Sequence, residues 1–209
     1  HKYSHSCVDD VIAANMTFSC YGMGCDRKFS ISLKNYDGGY ANNFLFNRAS
    51  AVEKPEIAGL PSSYGARETL MLVYSDNVYD IELRQYYSVF EDTDVIAVSA
   101  CLENKSPHDA SIRSMASCQL DTDGHGYEIF SYTGAWARER YCSRTLLNIG
   151  VFEQGTNRGS SSHAVNPFIM LKRPERMGGY LAFNLVYSGN HKECVESTAM
   201  HSTRITIGM

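Results

Sequence analysis

Tryptophan occurs once in this 209-residue chain, at Trp136, and several other signals are missing altogether. No stretch approaches the ~18 consecutive apolar residues of a membrane-spanning helix, so no membrane partner is expected. The formal net charge is only −4, and no lysine- or arginine-rich stripe appears, which argues against a nucleic-acid partner. Low-complexity tracts are lacking and aromatic residues make up 11% of the chain, so disorder is excluded as its main state. The opening residues, "HKYSHSCVDD", are not a signal peptide.

Several forms of chemistry are excluded in the same way. There is no CxxC pair, and the seven histidines have no metal-ligand spacing, so no metal site is expected. Seven cysteines cannot all pair within one chain, and buried free thiols acting as small hydrophobes account for them. "DTDG" (121–124) opens like a calcium loop but lacks the later ligands and the terminal glutamate, which leaves a hairpin turn. "RGSSSHAVNPF" (158–168) sets three serines beside His163, yet sequence neighbours rarely form a Ser–His catalytic pair. It reads as a polar loop entering the strand "PFIMLK". Sequons at Asn15 and Asn104 suit a secreted glycoprotein, although Pro107 makes the second a poor acceptor. The compartment stays open.

What is present is strand signal. In "DIELRQYYSVF" the residues Ile81, Leu83, Tyr87 and Val89 alternate with Glu82, Arg84 and Ser88, which predicts an apolar and a polar face. "DVIAVSACLEN", "SIRSMASCQLD", "GYLAFNLVYSG" and "TRITIGM" read as further strands. Turn signals such as "YDGG", "YSDN", "FEDTD" and "SGNH" separate these runs about every 10–13 residues, the rhythm of a sandwich or barrel. No segment sustains a 3.6-residue period. The expected fold is therefore all-β, as a single domain over 1–209. "TRITIGM" reads as a strand still running, so a continuation beyond Met209 is expected.

Trp136 lies in "YTGAWARERY", followed by Arg138 and Arg140. In strand register the three would share one face. A flat indole beside guanidinium donors suits a sugar, the ring covering its apolar face and the donors taking hydroxyls. A core tryptophan beside a solvated charged edge fits the same residues.

"GAWARER" (134–140), "RGSSSHAVNPF" (158–168) and "LVYSGN" (185–190), in that order, resemble the N-terminal domain of glycoside hydrolase family 36 α-galactosidases. "SVFEDTDVIAVSACLEN" (88–104) and "EIAGLPSSY" (56–64) add to the likeness, which runs from Met16 to Met209. The resemblance implies a β-supersandwich, a two-sheet sandwich like that of galactose mutarotase. It also implies a following catalytic (β/α)8 barrel, absent from this chain, which hydrolyses terminal α-galactosyl residues with retention. Catalytic residues are then expected in none of these 209 positions, and the chain alone is expected to be inactive. Trp136 matches the family's pocket tryptophan, and Asn15 falls where bacterial relatives carry a substrate-contacting aspartate. Arg138, Arg140, Arg158, His163 and Asn166 are expected to support the pocket or the junction with the barrel.

The implied partners are α-galactosides of the melibiose or raffinose type, the enzyme's own barrel and further copies of the enzyme. No cofactor is implied. A bacterial source would imply a cytoplasmic protein and a fungal source a secreted one. One departure concerns the family's YGxGDFR loop, which in tetrameric members approaches a neighbouring pocket. It matches "YANNFLF" (40–46), where the aspartate and arginine are both missing. A stand-alone carbohydrate-binding module, or a structural domain with Trp136 in its core, is also compatible with the residues.

Overall fold

Alternating side chains bounded by turn residues become thirteen strands in three antiparallel sheets, and no helix occurs among the described residues. The computed structural model describes residues 16–25, 27–161, 164–174, 178–187 and 189–209. Two predicted site residues, Asn15 and His163, lie outside that set. The all-β class is as expected.

The chain falls into two compact units. Unit two comprises residues 19–23 and 29–118. Its main sheet is a meander of β2 (Leu45–Val52), β3 (Ala66–Asp76), β4 (Ile81–Phe90) and β5 (Ile96–Asn104), in that spatial order. A further strand, β1 (Ile31–Lys34), pairs with the first part of β6 (Ser111–Asp123). Ile31, Leu33, Phe44, Val73, Ile81 and Leu83 are buried here.

Strand β4 departs from its predicted faces. Glu82 and Ser88 are buried, whereas Val89 is exposed. Polar partners make this possible: Glu82 binds Lys105 Nζ at 2.8 Å and Arg84 at 2.6 Å, and Ser88 bonds Thr69 Oγ1 at 2.8 Å. A buried polar group that is paired no longer incurs the full desolvation penalty.

Unit one comprises the described residues up to Phe18, those of 24–28, and 119–209. One of its sheets has the order β11 (Tyr180–Asn184), β10 (Val165–Lys172), β7 (Tyr127–Ala135), β8 (Arg138–Leu147). Three further strands, β9 (Gly150–Thr156), β12 (His191–Ser197) and β13 (Ser202–Gly208), pair with β12 in the middle, and the end of β6 adjoins β13. Tyr127, Ile129, Leu147, Ile169, Leu171, Val195 and Ile205 form one buried cluster. Each large aliphatic side chain of this kind contributes about 1.5–3 kcal/mol on burial. The run "GYLAFNLVYSG" is strand only as far as Asn184: Leu185 N–H still donates to Pro167 O of β10 at 2.9 Å, but proline has no N–H to return the bond and the ladder stops there.

All six described cysteines are free thiols. Burial pushes Cys118 and Cys194 up to about 11, so both stay protonated and unreactive at neutral pH. The amide of Asn104 is committed on both sides, its Nδ2 donating to His108 O at 2.7 Å and its Oδ1 accepting from Ser106 N at 3.1 Å.

Candidate functional site

Strands β7 and β8 form a hairpin in which Ala135 opposes Arg138, so Trp136 and Ala137 are its two-residue turn. Ala137 adopts φ 62°, a left-handed conformation held by its N–H donating to Glu139 Oε1 at 3.0 Å. Arg140 is left-handed as well, at φ 64°. The strand register expected across Trp136, Arg138 and Arg140 is therefore corrected. The chain reverses at Trp136–Ala137, and alternation cannot carry through two positive-φ residues.

Trp136 is 84% exposed at the hairpin tip, which removes it from the core of this structure. Arg138 and Arg140 are also exposed, and neither guanidinium is hydrogen-bonded or ion-paired to a described residue. The tip thus presents one large ring and two cations with no partner among the described residues.

Beneath the tip, Gly134 closes the register irregularity between Thr133 and Ala135. A Cβ there would lie 2.3 Å from Arg138 O and 2.8 Å from Glu139 Cα, both backbone atoms. Gly134→Ala is accordingly expected to destabilise the protein by about 1–3 kcal/mol through overpacking at the hairpin. A denaturation midpoint equal to that of the unsubstituted protein would refute the close approach.

The structure brings part of the "RGSSSHAVNPF" loop to the same hairpin. Gly134 N–H donates to Ala164 O at 3.1 Å, and Val165 opposes Thr133. The pairing then shifts between Val165 and Ile169, so Asn166 lies half-buried on a bulge of β10 beside the hairpin. The bulge is anchored by Phe168, whose ring packs on Tyr132 with centroids 5.7 Å apart. Arg158 is exposed in the bend after β9, where its N–H donates to Thr156 Oγ1 at 3.3 Å. Gly159 N–H, next to it, donates to Asn190 Oδ1 at 2.7 Å.

Two buried polar clusters in unit one escaped the sequence reading. In the first, Asp121 accepts from Arg204 Nε at 2.7 Å and Nη2 at 2.8 Å, and from Arg27 Nη2 at 3.3 Å. All three side chains are at most 1% exposed. Met16 is clamped by the same strand: its N–H donates to Asp121 Oδ2 at 3.0 Å and its carbonyl accepts from Gln119 Nε2 at 3.2 Å. In the second cluster, Glu193 and His191 are both buried on β12, with His191 Nε2 3.4 Å from Glu193 Oε1. Gln154 stands opposite Glu193 on β9. Burial pushes Glu193 up to about 8 and His191 down, so the two face each other uncharged at neutral pH.

Among the described residues, no three histidine, cysteine or acidic side chains are placed to hold a metal, and no helix is long and apolar enough to cross a membrane. An open depression of about 450 Å³ in unit two, lined by Ala51–Lys54 and Ala66–Thr69, contains none of the predicted site residues.

Comparison with known proteins places this geometry in context. Alpha-galactosidase 1 of Pediococcus pentosaceus is 33% identical over 163 residues, covering 75% of this chain and 22% of the relative. A probable alpha-galactosidase C of Aspergillus flavus is 31% identical over 198 residues, covering 91% of this chain and 26% of the relative. The crystal structure of the alpha-galactosidase from Lactobacillus brevis superposes with a TM-score of 0.86 at 30% identity, over 92% of this chain and 27% of that one. A variant of AgaA from Geobacillus stearothermophilus in complex with raffinose has a TM-score of 0.86 at 28% identity, over 93% and 28%. The chain thus spans about a quarter of the length of the relatives it matches. The family description "Glycosyl hydrolase family 36 N-terminal domain" matches residues 6–209, across both units, and the chain belongs to that family.

Proposed function

We propose that this domain forms part of the wall of a galactose pocket in a complete α-galactosidase, with Trp136 as the residue that meets the sugar. The observation carrying the reading is the exposure of the chain's only tryptophan, fixed at the tip of a tight hairpin whose second strand opens with Arg138 and Arg140. An aromatic ring held in water by a rigid turn is a ready platform for a pyranose face. Arg138 and Arg140 beside the ring, and Asn166, Arg158 and His163 in the adjoining loop, support the pocket or the junction with the catalytic part. Asn15 is assigned a hydroxyl contact, as a neutral donor or acceptor.

In this proposal the cleavage itself belongs to a (β/α)8 barrel following residue 209. Two carboxylates there, roughly 5–5.5 Å apart, would hydrolyse terminal α-galactosyl bonds with retention. Such chemistry requires no metal or organic cofactor. The 209 residues by themselves would then be inactive. Substrates are α-galactosides of the melibiose or raffinose type, a choice supported by the raffinose complex of the AgaA variant. Assembly into a homo-oligomer is part of the same proposal.

Trp136→Ala in the complete enzyme is expected to lower kcat/KM for a small aryl α-galactoside at least about tenfold, equivalent to ~1.4 kcal/mol of transition-state binding. The thermal transition should stay where it is, because an 84% exposed ring contributes little to the fold. Unchanged kcat/KM would remove Trp136 from the pocket. A collapsed transition would instead make it structural.

A further inference from the structure

Three connections of unit two meet at a second aromatic surface that the galactose-pocket reading does not use. They are the β1–β2, β3–β4 and β5–β6 connections. Tyr36 comes from the first, Tyr79 from the second and His108 from the third. The Tyr36 ring lies 5.7 Å from Tyr79, edge-on at 75°, and 4.5 Å from His108 at 34°. Tyr79 Oη donates to Asp37 Oδ2 at 2.9 Å, and Gly39 N–H donates to Asp37 Oδ1 at 2.8 Å. Those bonds hold the Asp37 carboxyl below the usual carboxylate range, so it stays charged. Despite its two ring neighbours, Tyr36 remains 54% exposed.

The loops beneath these rings are locked together. Asp76, 1% exposed, accepts from Asn42 Nδ2 at 3.1 Å and Asn43 N at 2.9 Å in the first connection, and from Val78 N at 3.0 Å in its own. Lys105 N–H in the third connection donates to Asp80 O at 2.9 Å in the second. One buried carboxylate and a backbone bridge thus preorganise rings that would otherwise hang from separate mobile loops. Preorganised loop side chains on a rigid sheet are the usual way a β-domain builds a binding site.

From this geometry we propose that Tyr36, Tyr79, His108 and Asp37 form a second carbohydrate site, built from residues other than those of the galactose pocket, which holds a galactosyl unit of a polysaccharide. The open aromatic platform covers the C–H face of a pyranose, and Asp37 keeps lone pairs for its hydroxyls. An anionic ligand does not suit the charges, since Asp37 is negative and Lys105 is committed to Glu82 at 2.8 Å. The choice of galactose rests on the function proposed above. The platform itself does not.

The test uses the complete enzyme in native gels containing galactomannan, beside turnover of a small aryl α-galactoside. The Tyr36→Ala/His108→Ala double variant is expected to lose galactomannan affinity about tenfold, as when an aromatic anchor is truncated, while kcat/KM on the aryl galactoside is unchanged. Tyr36→Phe, which keeps the ring, should be retarded like the unsubstituted enzyme. Asp37→Ala supplies the same readout should the double variant not fold. Equal retardation of all variants overturns the proposal, as does absence of retardation in the unsubstituted enzyme. A parallel fall in aryl turnover also overturns it, because the residues then serve the pocket or the fold. If the enzyme is retarded but does not cleave the aryl galactoside, the hydrolase reading fails and the sugar site stands.

Discussion

Asp121→Ala is expected to lower the free energy of unfolding by about 3–5 kcal/mol, the cost typical of breaking a buried ion pair from one side. The size follows from what remains behind. Arg27 and Arg204 are both at most 2% exposed, and Asp121 is the carboxylate that both guanidiniums engage. Its removal takes the shared carboxylate from two like charges in a low-dielectric interior and removes the acceptor of the Met16 N–H. A domain stable by 5–15 kcal/mol loses a large fraction of that margin. Asp121→Asn keeps the shape but not the charge, so most of the loss should persist. Urea titration measures it directly. Because the cluster is buried, the loss should barely change between low and high salt. A cost under about 1 kcal/mol would mean that water reaches the cluster.

Glu193→Gln should act in the opposite direction at neutral and alkaline pH. The carboxyl titrates at 4.5 in the unfolded chain and about 8 in the fold, where burial disfavours the anion. A folded pKa above the unfolded one means that the folded state binds the proton more tightly. Its contribution is complete below about pH 4.5, declines as pH rises towards 8, and is gone beyond that. With each unit worth about 1.4 kcal/mol, the decline amounts to a few kcal/mol. Glutamine is neutral throughout, so the variant should match the original near pH 4 and exceed it by that amount at pH 9. His191 titrates in the opposite sense. Burial lowers its pKa, so its contribution is present above 6.5 and is lost as pH falls below that. Parallel stability–pH curves for the two proteins would show that Glu193 is ionised and solvated in the fold.

The legibility of this chain differed from feature to feature. Strand β4 announced itself through alternation and flanking turn residues. The faces of β4 were less readable, because Glu82 and Ser88 look like solvent residues until Lys105 and Thr69 are seen beside them. At the hairpin, the motif marked Trp136 as unusual. The turn at Trp136–Ala137 was hidden, since positive φ at Ala137 and Arg140 carries no composition signal. Asp121 was visible only as the start of a turn, because Arg27 and Arg204 lie 94 and 83 residues away along the chain. The aromatic platform was equally hidden, with Tyr36, Tyr79 and His108 drawn from three separate connections.

The sequence by itself determined the all-β class and the family, since alternation and ordered motifs are properties of neighbours along the chain. Tertiary structure decided which charges are buried, which tyrosines meet, and that Trp136 stands in water. Burial and pairing depend on groups tens of residues apart, and their free energies exist only once the fold has removed water from between them.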